Sequence, residues 1–331
     1  MTEIFVDLWS LAGATLSVIA ALAILAIGTR MTWACGIPSF ASLVAGAVAG
    51  YGAANLLNAG YGVLTVLLFA ALAGFWIGLS LAITLWRLPL VWQGLASFAM
   101  VALLPALARS LPDLSGGVGG LAVPVSTAWA LPMLIPVAAL AWRLDKAWFG
   151  RAANAIRQDP IVAAGLGVPV RAVQSLSYGL AGLLGAVGGV LLVISTGAAT
   201  PLQFAPSIGL TLVAAVLLGG SYHWLGPVVG SVLIVPPSLL LRSETPDLQN
   251  LALAIIVVVL VVLMPRGLLD PRERSRRAAR GRRRQRATVA AMAPVVEPRR
   301  GRERSSLSGP QRSRLEAAIK RRQGDPLSGD R

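Results

Sequence analysis

Long stretches without a charged residue dominate this sequence and constrain its fold more than any other feature. Hydrophobic residues make up 56% of the chain, which is too many for a water-soluble globular domain. A helix needs roughly 20 apolar residues to cross the hydrocarbon core of a membrane, so the longer stretches hold several crossings each. The sequence therefore predicts an all-α, polytopic bundle of transmembrane helices. The charge-free stretches are Leu8–Thr29, Met31–Trp86, Leu88–Ala108, Ala172–Leu241 and Leu248–Pro265.

Glycine, proline and polar residues divide these stretches into about nine predicted spans, within a range of eight to ten. Glu3 and Asp7 precede the first span and no basic segment does, so we expect a mature helix rather than a signal peptide there. Residues 1–270 are thus predicted to form one transmembrane domain. The spans are Leu8–Ile27, Ile37–Leu57, Gly62–Trp86, Leu88–Ala108, Ala128–Trp142, Ala172–Ser195, Ala205–Leu218, Leu225–Leu241 and Leu248–Met264.

The basic residues predict how these spans are oriented, because Lys and Arg concentrate in the cytoplasmic segments of membrane proteins. With the amino terminus outside, Arg30, Arg87 and the loop of residues 143–171 all fall inside, as does everything from Arg266 onward. Only Arg109 and Arg242 then fall outside. We therefore predict an external amino terminus and a cytoplasmic carboxyl terminus.

The net charge of +15 comes mostly from the end of the chain, where residues 271–331 hold 19 basic and 6 acidic side chains. This polar, basic composition predicts a disordered cytoplasmic tail that lies near anionic membrane lipid. The tail has no aromatic residue on which bases could stack, which argues against a nucleic-acid partner. A membrane scaffold that recruits partners through this tail is an alternative, and it predicts that deleting residues 271–331 removes function.

Residues that carry chemistry are scarce. One cysteine, Cys35, and one histidine, His223, allow neither an internal disulfide nor a Cys/His metal cluster. No Asp or Glu falls inside a predicted span, which disfavours a proton relay, and neither lysine stands in the Gly-Lys-Ser/Thr sequence of a P-loop. We predict a transport protein rather than an enzyme, with no catalytic residue, cofactor or metal on this chain. Its energy source would lie elsewhere, or it would be a passive pore.

Small residues spaced four apart indicate close helix packing. The pairs Gly46 with Gly50, Gly185 with Gly189, and Gly226 with Gly230 are predicted to pack helices inside the bundle, with a dimer contact as the alternative. Polar residues within or beside the spans are candidates for a translocation path, or else form hydrogen bonds between helices. They are Asn55, Asn58, Gln93, Ser97, Gln174, Ser177 and Thr211.

Two loops between the spans have distinctive sequences. The predicted external loop contains Gly116, Gly117 and Gly120 and reads as either a flexible connector or a re-entrant, gating turn. The basic segment from Phe149 to Gly167 contains Asp159 followed by Pro160, a typical helix start that Gly165 or Gly167 would close. Such a helix suits docking on a cytoplasmic partner, but an ordinary interfacial loop would look similar.

This segment resembles the cytoplasmic loop of the inner-membrane permeases of branched-chain amino acid (LivM-like) ABC transporters, close to which stand urea and amide permeases. The similarity is poor before Asp113, where Met31–Phe40 replaces the family's usual stretch, so the substrate stays open. The residues that carry the resemblance are Phe149–Ala152, Ala155–Arg157, Asp159, Ala163–Ala164 and Leu166–Val168, then Ala181–Ala186, Val216–Gly220, Gly226–Gly230 and Met264–Leu268.

The resemblance implies one permease subunit of an importer in a bacterial inner membrane. Its partners would be a second permease, two ATPase subunits that bind ATP and Mg²⁺, and an extracytoplasmic solute-binding protein. The loop of about residues 143–171 would couple the permease to the ATPase through Arg151, Asn154, Arg157, Asp159, Gly165 and Gly167. A stand-alone passive channel, or a carrier driven by its substrate gradient, is the alternative.

Overall fold

The computed structural model describes residues 2–240 and, among them, the side chains of residues 13–235. In this part of the chain the structure is a bundle of α-helices with one short β-ribbon. The helices are α1 Thr2–Ala34, α2 Ala41–Asn58, α3 Val63–Leu85, α4 Leu90–Ser110, α5 Pro112–Ser115, α6 Ala130–Lys146, α7 Trp148–Gln158, α8 Pro160–Gly165, α9 Val170–Thr196, α10 Pro206–Gly219 and α11 Gly226–Leu240. The ribbon pairs β1 Leu121–Ala122 with β2 Ala198–Ala199, antiparallel, and a 3₁₀ turn covers Pro201–Phe204.

Helix α9 forms the centre of the bundle, and α1, α2 and α3 pack around it. Small residues make this possible, because a Cβ at Gly185 would collide with the backbone of Ser42, and one at Gly189 with that of Gly46. The backbones of α2 and α9 are therefore in direct contact, as small-residue spacing allows. Gly230 lies equally close to the backbone of Ala215. These contacts confirm that the predicted glycine pairs pack helices within the chain.

The sequence placed eight of its nine predicted spans on helices that the structure contains, and the ninth, Leu248–Met264, lies outside the described residues. Two boundaries differ for physical reasons. Helix α1 runs past Arg30 to Ala34 because a carboxylate pairs with that arginine inside the protein. Helix α2 begins at Ala41 rather than Ile37, because Gly36 turns the chain at φ +80° and Pro38 follows it.

Among the described residues, four helical segments are long and apolar enough to cross a membrane: Gly13–Ala34, Val63–Leu85, Leu90–Ser110 and Val170–Thr196. Shorter apolar helices include Pro206–Gly219 and Gly226–Val235. The protein is thus a helical membrane protein, while the count of nine spans and the orientation of the termini stay predictions. Residues 271–331, predicted as a tail, lie outside the described part.

The bundle has two ends with different chemistry. At the basic end α1, α3, α6 and α10 finish and α2, α4, α9 and α11 begin, and this end includes α7 and α8. It carries seven basic side chains but only Asp145 and Asp159 as acidic ones. The opposite end, here called the glycine-loop end, holds residues 111–129 and 197–205. All loop charges predicted to be cytoplasmic and within the described residues therefore lie at one end.

Candidate functional site: the α7–α8 loop

Helix α7 is amphipathic and lies against the basic end of the bundle. Its buried face holds Phe149, Ala152, Ala153 and Ile156, while Arg151 and Asn154 are exposed. Gly150 lies so close to the Asp145 backbone that a Cβ there would overlap it. The corner between α6 and α7 is therefore tightly packed, and α7 is held to the bundle through its apolar face.

Helix α8 starts as its sequence predicts. The Asp159 carboxylate accepts hydrogen bonds from the backbone N–H groups of Ile161 (2.8 Å) and Val162 (3.0 Å), which is the geometry of a side-chain N-cap. The helix ends at Gly165, and Gly167 follows in the left-handed region at φ +84°. Asp159 thus caps the helix, and the two glycines form its end.

The outer face of α8 is apolar. Ile161 is 82% exposed, Val162 57% and Leu166 78%. Ala163 is the buried residue of this short helix. Exposed aliphatic side chains on a rigid, capped turn are unusual where the neighbouring residues are charged, and clustered apolar exposure marks surfaces that bind a partner. The face formed by Ile161, Val162 and Leu166, called below the α8 face, is therefore a candidate docking surface.

Arg157 is half-buried and makes contacts within the chain. Its Nη2 donates to Ser221 Oγ at 3.0 Å, and its guanidinium lies 4.0 Å from the centroid of the Tyr222 ring. Ser221 and Tyr222 belong to the turn between α10 and α11. Arg157 also packs against Gly36, between α1 and α2. This arginine therefore connects α7 to two other turns at the basic end.

The other predicted polar residues of the loop are less deeply involved. Arg151 is exposed and its Nη1 donates to the Lys146 carbonyl at 3.0 Å. Asn154 donates to the Gly150 carbonyl at 2.9 Å, one turn earlier in the same helix. Both side chains remain near the loop surface, where a partner could reach them.

An ion pair that the sequence did not reveal fixes the start of the loop. Arg30 Nη2 lies 2.9 and 2.8 Å from the two oxygens of Asp145, and Arg30 is only 3% exposed. The pair joins α1 to the last turn of α6, just before α7. Sequence analysis assigned Arg30 to a cytoplasmic loop, but it lies inside a helix and is buried. No local pattern could predict a partner 115 residues away.

The polar residues near the basic end are used for packing. Gln93 accepts a hydrogen bond from Tyr178 Oη at 3.0 Å and donates to the Leu88 carbonyl. Ser97 accepts from the Phe40 N–H at 3.1 Å, and Ser177 contacts Cys35 Sγ at 2.8 Å. These side chains therefore form hydrogen bonds between elements, which the sequence offered as the alternative to a translocation path. The bonds join α4, α9 and the turn before α2.

The other candidates for a translocation path are dispersed. Asn55 and Asn58 lie at the glycine-loop end and donate to the carbonyls of Leu114 (2.8 Å) and Ala122 (3.1 Å). Thr211 is hydrogen-bonded within α10, and Gln174 lines a small cavity near Trp86. The structure does not bring these seven residues together around one channel.

The glycine loop, predicted to be external, is a compact turn. Gly116, Gly117 and Gly120 all have positive φ angles, of +70°, +65° and +72°. A side chain at Gly116 would overlap the Gly120 backbone, and one at Gly120 would overlap Ala199 in the ribbon. With Asn55 and Asn58 bonded to the flanking carbonyls, this loop is packed against the bundle, which does not fit a flexible connector. A gating role for it stays a prediction.

Two larger cavities open near this end. One of about 470 Å³ is lined by Pro105, Arg109, Thr200 and Leu202, among others. The other, about 280 Å³, lies between α2 and α4 and is lined mostly by aliphatic side chains together with Tyr51, Asn55 and Ser115. Both are in the size range of small-molecule sites.

The structure is thus a bundle of apolar helices with a basic loop that contains a capped short helix. The chain belongs to the family described as the permease component of the branched-chain amino acid transport system, whose model matches residues 11–264. The resemblance seen in the sequence is thereby confirmed. This family consists of transport subunits rather than enzymes.

A curated relative agrees with this assignment. The chain is 32% identical over 149 residues to the probable ABC transporter permease protein YphD of Escherichia coli (strain K12), a match that covers 43% of this chain and 44% of that protein. The chain therefore matches less than half the length of this relative. No solved structure matches the chain.

Proposed function

We propose that this chain is the membrane-spanning permease subunit of an ABC importer in a bacterial inner membrane. It would pass branched-chain amino acids, or a related small polar solute such as urea or a short amide, from an extracytoplasmic binding protein to the cytoplasm. The membership of the permease family supports this proposal. ATP and Mg²⁺ would bind to separate ATPase subunits, and a second permease would complete the transmembrane part.

The exposure of the α8 face supports a role for this loop in coupling the permease to its ATPase. Ile161, Val162 and Leu166 present aliphatic surface at the end of the bundle where the basic residues collect. Burying one such side chain in a partner stabilises a complex by roughly 1.5–3 kcal/mol. The three side chains of this face therefore suffice to hold α8 in a groove of the partner. Movement of the partner would then act on α7 and, through Arg157, on the turns at Gly36 and Tyr222.

Co-purification tests this proposal directly. The tagged full-length chain is isolated from native membranes in mild detergent, and its stoichiometric companions are identified by mass spectrometry. We expect an ABC ATPase and a second permease. Isolation of the chain without an ATPase would contradict the proposal and favour a stand-alone channel or carrier.

A matched pair of variants locates the docking surface. Ile161→Glu places a charge in the α8 face, whereas Leu202→Glu makes the same type of change at an equally exposed position, 78% accessible, at the glycine-loop end. We expect Ile161→Glu to lose the ATPase and the uptake of labelled leucine while Leu202→Glu keeps the ATPase. If both variants recover the ATPase equally, α8 is not the docking element.

Uptake experiments address the substrate class. Cells that carry the transporter genes are supplied with labelled leucine, valine, urea or acetamide, each in competition with the others. We expect one of these groups to be taken up with ATP dependence. Uptake that persists after ATP depletion would contradict an ATP-driven importer.

A further inference from the structure

The corner where α3 ends and α4 and α9 begin carries two arginines around one tryptophan. The guanidinium carbon of Arg171 lies 4.8 Å from the centroid of the Trp86 ring, and that of Arg87 lies 5.8 Å from it. The two carbons are therefore at most about 11 Å apart. All three side chains are exposed, so an external molecule can reach them.

These two positive charges have no carboxylate partner among residues 13–235. The three acidic side chains in that range are used or located elsewhere: Asp145 pairs with Arg30, Asp159 caps α8, and Asp113 lies in α5 at the glycine-loop end. Two cations held close together repel each other unless an anion lies near them. The corner is thus set up electrostatically for an external anion.

The helix starts reinforce this charge. Helices α4 and α9 begin after Pro89 and Pro169, and neither start has a side-chain cap. The N-terminal end of a helix carries a partial positive charge and unpaired N–H groups that favour anions. Two such ends lie at this corner and add to the two guanidinium groups, opposed by the single carboxyl end of α3, which carries a partial negative charge.

A cavity at the corner has the size of a phosphate group. It measures about 50 Å³ and is lined by Trp86, Arg171, Gln174 and Tyr178, among others. This is room for only a few water molecules, which is too little for a whole amino acid. The guanidinium of Arg171, which lines the cavity, is of the kind that binds phosphate oxygens in paired hydrogen bonds, Arg87 adds its charge from beside the Trp86 ring, and the Gln174 amide is a further possible donor.

The surface next to the cavity is suited to lipid chains. Ile83, one turn before Trp86 on the same side of α3, is largely exposed. Trp86 itself is the kind of residue that lies at membrane interfaces. An anion that binds here would therefore have apolar surface beside it, as a phospholipid headgroup needs for its acyl chains.

We propose that Trp86, Arg87 and Arg171 form a binding site for the phosphate of an anionic phospholipid. The site is separate from the α8 face and does not depend on the proposed transport function. It would hold a lipid between the α3–α4 turn and the start of α9, the central helix. Basic pockets between transmembrane helices bind anionic headgroups in this way.

Native mass spectrometry of the purified full-length protein tests this site. The protein is titrated with dioleoyl phosphatidylglycerol, with dioleoyl phosphatidylethanolamine and with inorganic phosphate. The variants are the double change Arg87→Gln with Arg171→Gln, the single change Arg171→Gln and, as a control matched to that single change, Arg143→Gln, an exposed arginine at the same end. The basic tail is present in every variant, so its own lipid binding cancels in the comparison.

Each arginine near the lipid phosphate is worth about a fivefold change in affinity, so we expect the tightest phosphatidylglycerol site to weaken about 30-fold in the double variant. Phosphatidylethanolamine should not occupy this site, and Arg143→Gln should bind like the wild type. Equal weakening in Arg143→Gln and Arg171→Gln would show a diffuse basic surface and overturn the proposal. Displacement of the lipid by millimolar inorganic phosphate would identify a free-anion site and overturn the lipid assignment.

Discussion

The link between Arg157 and the α10–α11 turn gives the sharpest prediction. The substitution Arg157→Gln removes a hydrogen bond from a charged donor to Ser221 and the contact of the guanidinium with Tyr222. Hydrogen bonds of charged groups contribute about 1.5–3 kcal/mol, and a cation over a tyrosine ring contributes about 0.5–2 kcal/mol. The turn should therefore be held about 2–5 kcal/mol less firmly against α7.

Hydrogen exchange measures this loosening. Backbone N–H groups in the turn, such as those of Gly220, His223 and Gly226, are hydrogen-bonded in the structure. A loss of about 2 kcal/mol raises the population of the open turn roughly 30-fold. We expect the peptide covering residues 219–226 to exchange at least tenfold faster in purified Arg157→Gln than in the wild type, while peptides from α9 are unchanged.

The same residue separates two explanations of coupling. If Arg157 acts by touching the ATPase, then Tyr222→Leu should leave uptake intact. If it acts by holding the turn, Tyr222→Leu should reduce uptake as Arg157→Gln does, and the double variant should be little worse than either single one. Arg157→Glu should abolish uptake under both explanations. Additive losses in uptake, together with unchanged exchange of the turn, would refute the internal link.

Three further predictions concern stability and reactivity. Cys35 is fully buried, and burial raises the pKa of its thiol to about 11, so maleimide at pH 7.5 should leave Cys35 unlabelled in native membranes. A cysteine placed at Gly165 in a Cys35→Ser background should label quickly. Asp145→Asn leaves the buried Arg30 without its counter-charge and should cost about 3–5 kcal/mol, seen as a lower melting temperature in detergent and partly restored by adding Arg30→Gln. Gly185→Leu should abolish folding, because the side chain would enter the Ser42 backbone, whereas Gly52→Leu, with open space around it, should fold and purify as a single species.

Local chemistry made much of the fold predictable. Glycine, proline and polar residues divide the charge-free apolar stretches, so the helices could be placed from the sequence alone, as α3 and α9 illustrate. The Asp159-Pro160 pair predicted the start of α8, because both residues favour a first turn by themselves. The glycine pairs predicted close packing because backbones can approach only where side chains are small.

The rest depended on contacts between distant residues. Arg30 and Arg157 look like topology signals in the sequence, and nothing adjacent to either names Asp145 or Tyr222 as its partner. Asn55 and Asn58 look like residues of a polar path, but their partners are carbonyls in a loop about 60 residues later. Side chains of this kind form hydrogen bonds with residues far away in the sequence, and such bonds leave no periodic pattern in the sequence.

The arginines of the basic end differ mainly in burial. This difference separates those that hold the protein together from those that a partner can contact. Arg30 is buried in an ion pair and Arg157 is half-buried against Ser221 and Tyr222, so these two present less of their charge to a partner than exposed side chains do. Arg151 and Lys146 remain exposed at the start of α7, at the same end of the bundle as the α8 face. A partner that docks there must bury aliphatic side chains while facing these two cations. Charge complementarity therefore favours an ATPase groove with an apolar floor and an acidic rim, and a surface without acidic residues would be a poor match for this loop.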